Sequence, residues 1–99
     1  MKNKSEVADF IANQIQVIGK SQIKISEEAG FDKPNMITMI KQGKTKVPVN
    51  KICSLAKALE VNPYGFSMLC LTEYKPDLAN LVETMVLMGR ANLGDADAI

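Results

Sequence analysis

The chain has no histidine and no tryptophan, and its two cysteines, Cys53 and Cys70, are not a pair at ligand spacing. Zinc sites need closely spaced Cys and His ligands, so the sequence argues against one. Without histidine, and with no grouping of a nucleophile and a base, an enzyme is a poor reading. Glu27 and Glu28 read better as the solvated face of a helix. No cofactor is expected. There is no apolar run long enough to cross a bilayer. The opening residues, Met1 to Glu6, lack the apolar core of a signal peptide, so a cytosolic protein is expected. In that compartment Cys53 and Cys70, at helical core spacing, are expected to be buried reduced thiols. Glycine and proline are not in excess, and no repeat or low-complexity run is visible. The 99 residues suit one domain with a core of modest size.

Charge of one sign is also missing overall, the formal net charge being +1, but the two halves differ. From Lys20 to Lys57 eight lysines stand against Glu27, Glu28 and Asp32, a net of +5. Residues 58 to 99 carry Lys75 and Arg90 against Glu60, Glu73, Asp77, Glu83, Asp95 and Asp97, a net of −4. Such a split suits a protein that meets phosphate with one end and something else with the other.

The basic half contains the most informative stretch, Gln22 to Gly43. It reads as two short helices joined by a tight turn. Ser21 is an N-cap for the first, and Gly30 stops it by tolerating a left-handed backbone. Asp32 is expected to cap the second, with Pro34 in its first turn and Gly43 at its end. Ile25, Ala29, Phe31, Ile37 and Ile40 supply apolar positions that pack the pair together. At about 100° per residue, Asn35, Thr38, Met39 and Gln42 fall on the face opposite Ile37 and Ile40. That face carries amides, a hydroxyl and a thioether, with Lys33 and Lys41 close by. Amides hydrogen-bond base edges, and Thr or Met can meet a thymine methyl. An ordinary solvated face, or a patch for another protein, is the competing reading.

The flanking segments read as packing helices. Ser5 caps one to about Ile18, with Val7, Phe10, Ile11, Ile15 and Ile18 on one stripe and Gly19 ending it. After Gly43, Lys44 to Pro48 form a polar connector. A helix follows from about Val49 to Leu59, with Ile52, Leu55, Ala56 and Leu59 inward and Cys53 at the margin. Asn62–Pro63 then opens a helix with Phe66, Leu69, Cys70 and Tyr74 inward. Pro76–Asp77 begins a last helix, on which Leu78, Leu81, Val82, Met85 and Met88 form an apolar stripe. Something must cover it. A second copy of the chain, its own domain and a foreign protein are the candidates, and the second copy is the economical one. From residue 90 a small, polar tail is expected to be disordered.

From about Gln14 to Glu73 the chain resembles the Cro/CI-type (Xre-like) helix-turn-helix domain of phage repressors and bacterial regulators. The residues that carry the likeness are Lys20-Ser21-Gln22, Ile25, Ala29-Gly30-Phe31, Pro34 to Ile37, Ile40 and Gly43, then Pro48, Leu55 to Leu59 and Val61-Asn62-Pro63. Ser26 departs from the family's usual Ala, and the turn from Gly30 to Ile37 is a residue longer than in the lambda-type proteins. The resemblance implies an all-α fold with a compact five-helix lambda-repressor-like DNA-binding domain over residues 1–75; beyond it the residues themselves give an added C-terminal helix over 76–89, expected to dimerise, and the tail over 90–99.

It also implies a function. The chain is expected to be a sequence-specific, double-stranded DNA-binding transcription regulator, a repressor reading a palindromic operator as a homodimer. Lys33, Asn35, Thr38 and Met39 would face base edges. Gln22, Lys41, Gln42, Lys44 and Lys46 would hold phosphate, with Gln22 also bracing the reader helix. Leu78, Leu81, Val82, Met85 and Met88 would form the dimer interface. The alternative is an antitoxin-like protein that binds a partner through its last helix and autoregulates through DNA.

Overall fold

Side-chain caps start three of the helices, in the positions the sequence marks. In the computed structural model, which describes residues 5–93, Ser5 accepts from the Ala8 amide, Ser21 from Lys24 and Asn62 from Gly65. The elements are all helical: α1 (Glu6–Ile18), α2 (Gln22–Ala29), α3 (Asn35–Lys41), a single 3₁₀ turn at Val49–Lys51, α4 (Ile52–Ala58), α5 (Pro63–Tyr74) and α6 (Pro76–Leu93). There is no strand among the described residues. No described helix is long and apolar enough to cross a membrane.

α4 sits at the centre, packed on α2 and α5, while α1 packs on α3 and α5. Ile11, Ile25, Ile37, Leu55, Leu59 and Cys70 are fully enclosed between them. Val47 is also buried, although its lysine-rich surroundings make the segment look polar in sequence. Helix ends are tied by groups distant in sequence. Glu73 of α5 accepts from the Val7 amide and the Ser5 hydroxyl, satisfying the start of α1. At the other pole of α4, Lys20 donates to the Ala58 carbonyl and Gln14 to that of Leu59. Lys20 also pairs with Glu28 at 2.7 Å; this bond raises the Lys20 ammonium above its ordinary pKa and lowers the Glu28 carboxyl.

Several local expectations are corrected. Asp32 does not cap α3: the helix begins at Asn35, behind Pro34, and has no side-chain cap. Pro34 takes the cap position and brings no side-chain acceptor, and the Met36 amide is already met by the Lys33 carbonyl. Cys53 is exposed on α4, whereas Cys70 is buried and its thiol is pushed up to about 12, by burial first and the Glu73 charge second. The helix expected from Val49 begins with the 3₁₀ turn, closed by the Lys51 amide on the Pro48 carbonyl. α6 passes through Gly89 and continues to Leu93, beyond the expected limit at 89. Residues 94–99 of the expected tail lie outside the described residues.

α4 closes on Glu60 in the left-handed region, φ +62°, with the Glu60 amide on Lys57 and the Val61 amide on Ala56. Gly19, Gly30 and Gly43 end α1, α2 and α3 in the same conformation, where the absent Cβ removes the strain. Glu60 bears that strain, and its pairing with Lys20 at 3.4 Å contributes little because the Glu60 side chain is itself 59% exposed. Glu60→Gly is therefore expected to stabilise the fold by about 0.5–1 kcal/mol, read as a higher urea midpoint. A lower midpoint would mean that the Lys20 pairing outweighs the backbone strain.

Candidate nucleic-acid interface

α3 is seven residues long, too short to hold its own shape, so it is fixed by what it touches. Ile37 and Ile40 are 0% and 1% exposed and anchor it in the core. Its end is set by Gly43, φ +73°, with the Gly43 amide on Ile40 and the Lys44 amide on Met39. The turn before it is held to α2 by Ser26, whose hydroxyl donates to the Lys33 carbonyl at 3.3 Å. Ser26 is buried where a small residue is needed, and it adds a polar tie that Ala would lack.

Gln22, at the start of α2, links to α3 in both directions. Its amide nitrogen donates to the Thr38 hydroxyl at 2.8 Å, and its amide oxygen accepts from the Lys41 ammonium at 2.6 Å. The three residues form one network, so the expected brace is present. Thr38 keeps its own O–H to donate outward, and Gln22 keeps one of its two N–H groups. On the same short helix Asn35 is exposed and Met39 half-buried, and Gln42, which caps its end, is exposed. Lys33, before α3, and Lys44, after it, are exposed and reach no carboxylate among the described residues. The described ion pairs belong to Lys20 and Lys24, with Glu28 and Glu60.

Lys46 is placed differently from the other connector lysine. Its ammonium lies 5.3 Å from the centre of the Tyr74 ring, a cation–π contact with α5. Tyr74 is in turn fixed by the Val47 amide, which donates to its hydroxyl at 3.1 Å. Burial raises the phenol above its ordinary pKa. Lys51, absent from the expected set, stands over the end of α2: its Nζ is 3.2 Å from where a Cβ on Gly30 would lie. Only the three-dimensional approach of α4 to α2 reveals it; its sequence context carries no signal.

α6 splits its apolar residues between two faces. Ala79 is buried, with Val82 and Val86 half-buried, on a helix whose main packing is against α5. Leu78, Leu81, Met85 and Met88 remain 41–60% exposed. Val82 thus sits at the margin of the expected stripe and not in its centre.

Comparison with protein-family models, with curated proteins and with solved structures finds no match. What α3 can do therefore rests on its own chemistry.

Proposed function

We propose that the chain is a Cro/CI-type, sequence-specific double-stranded DNA-binding regulator, acting in the cytosol as a homodimeric repressor. The observation that carries this reading is the Gln22–Thr38–Lys41 network under a face with Asn35 and Gln42 exposed and Met39 half-buried. A reader helix needs polar side chains aimed outward from a support that does not move, because recognition is lost when base-contacting groups are loose. Asn35, Thr38, Met39 and Lys33 read base edges; Gln22, Lys41, Gln42, Lys44 and Lys46 hold the backbone. The dimer joins through Leu78, Leu81, Val82, Met85 and Met88 and sets two reader helices a helical turn apart. The test is selection of bound duplexes from a random pool. A palindromic consensus is the expected result; recovery without enrichment would show binding that is not sequence-specific, and no recovery would end the DNA reading.

The exposed stripe on α6 also fits the antitoxin-like alternative, with a foreign protein in place of the second copy. A wild type that remains monomeric at high concentration favours it.

Phosphate contacts leave a signature in salt. Lys44→Ala is expected to weaken all duplexes similarly and to flatten the dependence of log K on log salt by about one unit. Asn35→Ala should instead cost about 1–3 kcal/mol on the selected site and little on unrelated duplexes. Equal losses on both would make Asn35 a positioning residue with no part in reading.

A further inference from the structure

A groove of about 580 Å³ opens between the connector after α3 and the facing ends of α5 and α6. Its apolar wall includes Val49, Leu71, Tyr74 and Leu78, of which Val49 is 77% and Leu78 41% exposed. Lys44, Lys46 and Lys75 also line it, and no Asp or Glu does. Two contacts preorganise this rim. The Val47 amide fixes the Tyr74 hydroxyl, and the Tyr74 ring holds the Lys46 ammonium over its face.

We propose that this groove binds a small amphipathic carboxylate, its apolar body on Val49, Leu71 and Tyr74 and its head group among Lys44, Lys46 and Lys75. The volume lies in the range of small-molecule sites, which combine an apolar lining with a few placed polar groups. Three ammonium groups with no lining carboxylate select an anion, and the apolar wall selects against inorganic phosphate or a free sugar phosphate. Because Lys44 and Lys46 are shared with the proposed phosphate contacts, an occupied groove weakens duplex binding. That corollary alone rests on the DNA reading; the site does not.

The probe is decanoate, titrated into the full chain without DNA and followed by amide NMR shifts, with decanol and decyltrimethylammonium as controls. Decanoate should move the amides of Val47, Val49, Leu71 and Tyr74. Lys46→Ala and Lys75→Ala should each weaken it about fivefold or more. Val49→Asp, at an exposed position that does not threaten the fold, should abolish binding by placing a carboxylate on the wall. Equal binding of decanol overturns the charge selection. Shifts confined to Leu81–Met88 overturn the site, and groove amides that move with protein concentration but not with decanoate give the groove to a second copy. Decanoate that binds while duplex affinity is unchanged overturns the corollary alone, whereas a chain that binds decanoate and no duplex refutes the DNA reading and leaves the site standing.

Discussion

Ile37→Ala is expected to lower the unfolding free energy by about 2–5 kcal/mol, the range for truncating a fully buried isoleucine. The loss combines transfer of the removed methyls with the cavity left behind. Ile37 is 0% exposed, and with Ile40 it is one of the two fully buried side chains of a helix of seven residues. α3 has no side-chain cap at its start, so nothing local compensates when one of them is shortened. Ile23, one helix earlier and 60% exposed, is the control: Ile23→Ala should change stability by about 0.5 kcal/mol or less. Urea denaturation of the two variants with a common slope gives both numbers. A loss below about 1 kcal/mol for Ile37→Ala would mean that α3 is not anchored through this side chain. The variant also separates packing from reading, since Ile37 faces away from the proposed base-contacting residues yet determines where they stand.

Why some of this was readable in sequence follows from the range of the forces involved. A cap is a contact between residues two or three apart, so Ser5, Ser21 and Asn62 declare themselves. A helix end in the left-handed region favours glycine, so Gly19, Gly30 and Gly43 do too. Buried stripes repeat at helical spacing, which exposes Ile37 with Ile40 and Leu55 with Leu59. Glu60 escaped because a left-handed helix end is marked in sequence by glycine, and a glutamate in that place carries no such mark. Gly89 misled in the opposite sense, since glycine permits a helix stop without requiring one. Asp32 had the right chemistry for a cap, but α3 starts behind Pro34, which takes the cap position without a side-chain acceptor.

The candidate site divides along the same line. Periodicity alone separates Asn35, Thr38, Met39 and Gln42 from Ile37 and Ile40, because all six lie on α3 or on the Gln42 cap that continues its helical backbone. The Gln22–Thr38 bond spans sixteen residues; a brace from Gln22 to this helix was expected, but its partner Thr38 appears only in the structure. The Lys46–Tyr74 contact and the groove beside it involve segments twenty-eight residues apart, and no local pattern predicts them. Cys53 shows the limit of stripe-reading: at the margin of an apolar face, a small side chain falls outward as easily as inward, and here it is exposed.

The remaining large effect belongs to α6. Leu81 and Met85 lie one helical turn apart and are 53% and 60% exposed, while Ala79 is buried and Val82 and Val86 are half-buried on a helix that packs on α5. Helix α6 is thus attached by one face and leaves a second apolar face in water, an arrangement that soluble monomers rarely keep without a partner. Leu81→Asp combined with Met85→Asp is expected to give a folded monomer whose affinity for a full palindromic operator falls by about 100-fold or more, because the two half-sites no longer bind as one unit. In a seam between two copies each carboxylate must be desolvated without a partner, which is costly. In a monomer both carboxylates stay wet, so helix content by circular dichroism should be unchanged. Sedimentation reads the mass, and titration against one half-site reads the intact reader helix, whose affinity should hold. A double variant that remains dimeric sinks this interface. A wild type that already sediments as a monomer sinks the dimer and makes a foreign protein the occupant of the stripe, because Leu78, Leu81, Met85 and Met88 would still lack the cover their exposure calls for.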